Sequence, residues 1–278
     1  NIARFANQNG VPTIADFFNQ KLAKDILQGQ GRAKAIIGNN VVAHIDDWHD
    51  LVKGVKELLA DKGVFIFEAP YLVDMFENLA YDSIYHEHLS YLSVSPLVKF
   101  FRCYGMDVFD VQTFQRHGNS IRVFVGRSGS HQIMPSVKKF LAEEKRAGFD
   151  RLKTYHALAA RVESSKKNLI SVLAGLKKKN FRIAAYGAPA RGNTVLNYCK
   201  IGSDILDFAT EEIPSKVGFY TPGTHIPVKH IEEARKNHPD YYLLLAWSYK
   251  DKILEKESEF VKKGGRFIVP IGDKIEMI

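Results

Sequence analysis

Apolar residues follow two rhythms along this chain. From Ala33 to Gly38 (AKAIIG) they run almost unbroken and stop at Asn39-Asn40, which reads as a short buried strand. Trp48, Leu51, Val52, Val55, Leu58 and Leu59 then recur at helical spacing, with Asp46 or Asp47 placed to cap the helix and Asp61-Lys62-Gly63 to close it. Val64 to Glu68 (VFIFE) reads as a second buried strand, stopped by Ala69-Pro70. Strand, helix and strand joined this closely predict a parallel βαβ unit. A further helix carries Leu97, Phe100 and Phe101 on one face and ends near Gly105. Met106 to Phe114 and Ser120 to Val125 predict two more strands around the turn RHGN.

The rhythm changes between residues 128 and 180. Leu152, Tyr155, Leu158, Val162, Leu169, Val172 and Leu176 keep a helical period among Lys, Glu and Ala, which predicts one long helix or two. A second alternating unit follows. Phe181 to Tyr186 reads as a strand, GAPARGNT as its loop and VLNYCK as a helix. Strands are expected at Ile205 to Ala209 and Tyr241 to Leu245, a helix over 251–263 and a last strand at Phe267 to Pro270. The pattern predicts an α/β protein of two doubly wound, mostly parallel-sheet, Rossmann-like domains, the first incomplete, joined by the long helical segment. The boundaries are placed at residues 1–127 and 128–278, and the length of 278 residues agrees with two domains at about 150 residues each.

Composition narrows the class. The chain is 45% hydrophobic and 25% charged, ordinary for a globular protein. No apolar run reaches the roughly 18 residues that span a bilayer, so no membrane partner is expected. Two cysteines, Cys103 and Cys199, exclude a disulfide framework and fit a reducing, cytoplasmic setting. The formal net charge of +8 is dispersed; its densest clusters, Lys166-Lys167 and Lys177 to Lys179, fall on helix and read as a solvated face. No nucleic-acid-binding signature accompanies them.

Parallel sheets bind ligands beyond the carboxyl ends of their strands, which singles out four stretches. Asn39, Asn40 and His44 follow the first strand and offer amides to a ligand, or else a helix cap and a turn. YGAPARGN (186–193) lies between strand and helix. Its glycines allow close backbone approach, the helix N-terminus favours an anion, and Arg191 suits phosphate; it is neither a full G-x-G-x-x-G nor a Walker loop. YTPGTHIP (220–227) is a rigid loop whose Thr221, Thr224 and His225 are exposed polar candidates, or a plain connection. IYHEHLSYLS (84–93) places His86 and His88 around Glu87. A metal site needs three or four ligands, and two histidines at i and i+2 share a face only in a strand, so no metal is expected. A general base, its tautomer set by a neighbour, or a satisfied polar turn remain.

These motifs occur in a recognisable order: FEAPYLVDMFENLAYDSIYHEHLSYLS, HGNSIRVFV, AAYGAPARGNTVLNY, KVGFYTPGTHIPV, LLLAWSY and GGRFIVPIG. In this order the chain resembles the sugar C-methyltransferase family of deoxysugar biosynthesis, from about Asn1 to about Gly272. The resemblance implies an S-adenosylmethionine-dependent enzyme that methylates carbon 3 of a nucleotide-linked 4-keto-6-deoxysugar through an enolate. It implies His88 as the base with Glu87 beside it, and Tyr85 against the sugar or its enolate. It places Asn40 and His44 in the same pocket and Asn39 and Asn40 at the cofactor. Tyr186, Arg191, Asn193, Thr224 and His225 would hold the nucleotide diphosphate. The chain departs from the family at Asn119, in HGNSIR, where a second glycine is usual, and in TEEIPSK, where an aspartate is usual. Family members begin with a cysteine-rich zinc domain and two further cofactor-binding strands. The chain is therefore expected to be a fragment, with zinc confined to the missing part, an exposed apolar sheet edge and little activity alone. Two other readings stand beside this one. One is an NAD-dependent nucleotide-sugar oxidoreductase or epimerase, which would need a Tyr-x-x-x-Lys pair that Tyr249 and Lys252 are too close to form. The other is a non-catalytic nucleotide-binding domain.

Overall fold

A computed structural model describes residues 2–114 and 120–278, so the turn RHGN, with Asn119, lies outside the described residues. The chain separates into two compact units. One contains the residues up to Ala69 together with Leu92–Phe114 and Ile121–Glu144; the other contains Pro70–Tyr91 and Lys145–Ile278.

In the first unit, helices α1 (Ile2–Gln8) and α2 (Gln20–Gln30) precede strand β1 (Ala33–Asn39). Helix α3 (Trp48–Leu58) leads to β2 (Leu59–Pro70), which pairs parallel with β1 as the periodicity predicts. Asp47 caps α3, its carboxylate accepting from the Asp50 N–H at 2.9 Å. Asp61-Lys62-Gly63 does not close the helix. It belongs to β2, where Ala33 pairs with Leu59 and Ala35 already with Val64. The extra residues bulge out of the ladder, a register break that single-sequence periodicity does not carry.

Helix α4 (Leu72–Glu77) comes next in the chain but belongs to the second unit; in the first, α5 (Val94–Arg102) precedes strands β3 (Met106–Phe114) and β4 (Ser120–Arg127), completing a sheet of order β1-β2-β4-β3. The β1 strand lies at its edge, with Ile37 exposed. Phe65, Phe67 and Phe101 are fully buried under this sheet, and Trp48 meets Phe67 edge-on at 6.1 Å. Helix α6 (Pro135–Ala147) sends the buried Glu144 carboxylate to the Val94 and Ser95 N–H groups, at 2.6 and 2.8 Å. The otherwise unpaired first turn of α5 is capped in this way by a residue about fifty positions downstream.

The second unit has helix α7 (Leu152–Lys178), then β5 (Ile183–Tyr186), α8 (Ala190–Cys199), β6 (Ala209–Glu211), β7 (Val228–His230), α9 (Ile231–Lys236), β8 (Tyr241–Leu244), α10 (Lys250–Lys256), α11 (Ser258–Lys262), β9 (Arg266–Val269) and β10 (Glu276–Met277). Strands β9-β8-β5-β6-β7 are parallel neighbours, and β10 adds an antiparallel edge. Side chains alternate across β5: Ile183 and Ala185 pack with Leu169, Leu173, Val195 and Leu196 on one face, Ala184 and Tyr186 with Tyr242, Phe260 and Phe267 on the other. The α/β reading with parallel sheets is correct.

Three sequence expectations are corrected. Helix α8 starts at Ala190 rather than after Thr194, so Arg191 and Asn193 sit in its first turn. The strand expected from Ile205 begins only at Ala209, because the Ile205 and Leu206 N–H groups donate to the Gly202 carbonyl in a turn. The helix expected over 251–263 breaks at Glu257, whose carboxylate turns inward to Arg235 and Tyr186. Helices α1, α2, α4 and α9 and strands β7 and β10 lie outside the elements that the periodicity predicts. Among the described residues no helix is long and apolar enough to cross a membrane.

Candidate active site

The histidine-rich stretch folds as a turn: the His88 N–H donates to the Tyr85 carbonyl at 3.0 Å. The turn brings the Tyr85 and His88 rings together, their centres 4.4 Å apart and their planes tilted by 46°, and leaves His86 and Glu87 exposed. His88 Nδ1 lies 2.8 Å from the Ser83 carbonyl oxygen. A carbonyl only accepts, so Nδ1 carries the proton and Nε2 presents its lone pair in the neutral imidazole. Tyr85 Oη is 3.3 Å from that Nε2 and is its donor. Burial first, then the Glu87 carboxylate, push the Tyr85 phenol above its ordinary range, with the Arg191 cation partly opposing them. Tyr85 is therefore a hydrogen-bond donor at neutral pH. Among the described residues no group of His, Cys, Asp and Glu is placed to hold a metal ion.

This turn belongs to the second unit, and a buried carboxylate anchors it there. Asp82 is 1% exposed. Its Oδ2 accepts from Arg191 Nε at 3.0 Å and from Trp247 Nε1 at 2.7 Å, and its Oδ1 accepts from Arg191 Nη2 at 2.8 Å. The Arg191 guanidinium also lies over the Trp247 ring, 5.0 Å from its centre. The neighbouring Tyr81 is buried against Cys199 and Tyr198 of α8. Asp82, Ser83 and Trp247 were not singled out in the sequence. A lone aspartate and a lone tryptophan carry no spacing signal, and their meeting spans 165 residues.

Tyr186 was expected beside Arg191, but strand alternation sends it to the opposite face of the sheet. There its phenol donates to Glu257 at 2.8 Å, and burial holds it protonated. Asn193 is half-buried on α8, its carbonyl accepting from Asn197. In the 220–227 loop, Thr221 is not exposed. It is buried, its hydroxyl meeting Thr224 Oγ1 at 2.8 Å and accepting from the Ile226 N–H at 2.9 Å. Gly223 suits the tip because its backbone is left-handed, at φ +77°, where any side chain is strained. His225, also left-handed at φ 52°, is exposed.

In the first unit, Asn39 and Asn40 end β1 with both side chains exposed. Asn40 takes a left-handed φ of 54°, and its N–H donates to the Glu68 carbonyl at 2.9 Å. Gly38 is packed so closely that a Cβ would meet Val42 at 3.0 Å. His44 closes the following 3-10 turn and is exposed. Beside them the Glu68 carboxylate accepts from Arg122 Nε at 2.7 Å. The Arg122 guanidinium covers the Phe114 ring at 3.9 Å. This pair, too, escaped sequence reasoning.

Residues 3–111 match the family model described as a methyltransferase domain, and residues 115–272 match the C-methyltransferase C-terminal domain. The C-methyltransferase NovU of Streptomyces niveus is 39% identical over 272 residues, which cover 98% of this chain and 65% of that protein. The chain thus spans a little under two-thirds of the length of that curated relative.

Proposed function

We propose that this chain, which belongs to the C-methyltransferase family, carries the proton-abstracting part of an S-adenosylmethionine-dependent enzyme. Its substrate is a nucleotide-linked 4-keto-deoxysugar, methylated at C3, the carbon next to the ketone. The observation that carries the reading is the anchored imidazole: Nδ1 on the Ser83 carbonyl, Nε2 turned to Tyr85. A carbon beside a ketone loses its proton only to a positioned base, and only if the enolate oxygen is held by a donor.

His88 and Tyr85 supply those two parts. The Tyr85 phenol has one proton and can serve one acceptor at a time. With a ketone in place, its donation passes from His88 Nε2 to the ketone oxygen. Nε2 is thereby released to take the C3 proton, while the phenol holds the developing oxyanion. The C3 electron pair would then be taken up by the methyl group of a bound cofactor, whose sulfur would keep the electrons of the broken sulfur–carbon bond and leave as a neutral thioether, while the abstracted proton stays on the imidazole until solvent removes it. Burial, and after it Glu87 on the same turn, raise the phenol's pKa and so keep it protonated. S-adenosylmethionine, when bound, supplies an electrophilic methyl group. The end of β1 suits such a cofactor: Asn39 and Asn40 offer exposed amides that both donate and accept, at the carboxyl end of a parallel strand. Of the residues expected at the nucleotide, His225 remains exposed, whereas Arg191 and Tyr186 are engaged by Asp82 and Glu257.

Deuterium wash-in tests this. The intact enzyme in heavy water, given a dTDP-4-keto-6-deoxysugar, is expected to exchange the C3 hydrogen. His88→Gln should abolish that exchange and Glu87→Gln should leave it within a few-fold. Exchange that survives in His88→Gln and vanishes in Glu87→Gln would move the base to Glu87.

A further inference from the structure

We propose that Asp82 is a positioning residue for His88, and that the ligand-type crevice of the second unit's sheet serves to grip this carboxylate. The inference rests on the reading of His88 as the base. Strand order in this sheet reverses at β5: the chain runs from β5 to β6 and β7 on one side, then returns to β8 on the other. In open α/β sheets the crevice beyond the carboxyl ends at such a reversal is where ligands bind. Here it is bounded by the loop after β5, leading into Arg191, and the loop after β8, leading into Trp247.

Two of the side chains a ligand would meet there, Arg191 and Trp247, already donate to the chain itself. Arg191 forks onto both oxygens of Asp82, and Trp247 adds a third donor. A fully desolvated carboxylate with three donors has one orientation, which fixes the backbone of the turn Tyr81–Ser83. The next carbonyl along, that of Ser83, is the one that accepts from His88 Nδ1. The clamped residue and the carbonyl that holds the base are thus adjacent in the chain. By holding that carbonyl in place, Asp82 keeps the proton on Nδ1 and the lone pair on Nε2. Residues 70–91 fall within the methyltransferase-domain match by sequence but pack within the second unit.

The test is nitrogen NMR of the intact protein without substrate, with the His88 signals identified by their loss in His88→Gln. The parent protein is expected to show His88 protonated on Nδ1. Asp82→Asn keeps the shape but loses the charge, and should shift His88 toward a mixture of tautomers. In turnover it should lower kcat roughly tenfold or more, bounded by the 10²–10⁴-fold a general base contributes, with KM for both substrates within about twofold. Trp247→Phe removes one neutral donor and should move both readouts in the same direction by less, and it reads the proposal if Asp82→Asn does not fold. Guanidinium ion should restore part of the kcat lost in Arg191→Gly. An unshifted His88 spectrum in a folded Asp82 or Trp247 variant overturns the proposal. Because the spectrum is read without turnover, failure of His88 as the base would appear in the deuterium exchange and leave this measurement intact.

Discussion

The carboxyl ends of β1 and β5 occupy the same place in two similar architectures and are used in opposite ways. At β1, Asn39, Asn40 and His44 are exposed. At β5, Arg191 is met by a buried carboxylate of the chain's own, with Trp247 alongside. The rule that parallel sheets bind ligands beyond their strand ends describes where donors collect, not what they collect around. A glycine-bearing loop before a helix looks alike in sequence whether an anion from solution or an aspartate from 109 residues away comes to rest on it.

The sharpest break of this comparison is Arg191→Ala. Removing the guanidinium leaves the buried Asp82 carboxylate without its ion-pair partner, which is expected to cost about 3–5 kcal/mol. Each unit holds one tryptophan, Trp48 or Trp247, so urea unfolding followed by fluorescence in a Trp48→Phe background reports on the second unit. An unchanged midpoint would mean that solvent reaches Asp82 and that the crevice is open after all. Next in size is His88→Gln, expected to lower kcat by about 10²–10⁴-fold while leaving the unfolding midpoint nearly where it was, since the ring is half-buried and on a turn. A large stability loss instead would make His88 a satisfied polar turn residue.

These magnitudes also mark what the sequence could carry. Periodicity read β1, α3, α5, β3 and β5 nearly to their ends, because each buries a face through local spacing. It failed at Ile205 and Leu206, which are apolar and packed inward without pairing in a ladder. It failed again at β7, three residues long, where pairing with β6 rather than any pattern makes the strand. The stretch 84–93 announced candidate chemistry by residue type, and the turn does set Tyr85 against His88. Ser83, Asp82 and Trp247 stayed silent, since they act through a carbonyl and through contacts between distant segments.

Glu257 extends the comparison to the opposite face of the second sheet. Burial alone would raise its pKa, but hydrogen bonds from Arg235 and Tyr186 outweigh burial and hold it below the ordinary value. The sign follows from linkage: this stabilisation is complete above about pH 4.3, the unfolded value, and is lost as pH falls through the lower folded value. Glu257→Gln is expected to lower neutral-pH stability by about 1.5–3 kcal/mol and to flatten the acid side of the stability profile. An acid profile unchanged by the substitution would assign the acid transition to other carboxylates, with Glu211, also held low by Lys216 and two backbone N–H groups against its burial, the next to replace.

The smallest effect returns to the open end. Asn40 sits at φ 54°, where a non-glycine side chain costs about 1–2 kcal/mol and asparagine is tolerated best. Asn40→Gly removes the amide while easing the backbone, so the folded unit should be as stable as the parent. Asn40→Ala removes the same amide and adds strain, at about 0.5–1 kcal/mol. The pair therefore separates what the backbone needs from what a ligand needs. Calorimetric titration of the intact protein with S-adenosylmethionine should show both variants weakened by a similar three- to tenfold, about the 0.5–1.5 kcal/mol of one hydrogen bond. Affinity lost only in Asn40→Ala would assign this residue to the turn alone. Affinity lost in neither would remove its side chain from the cofactor site.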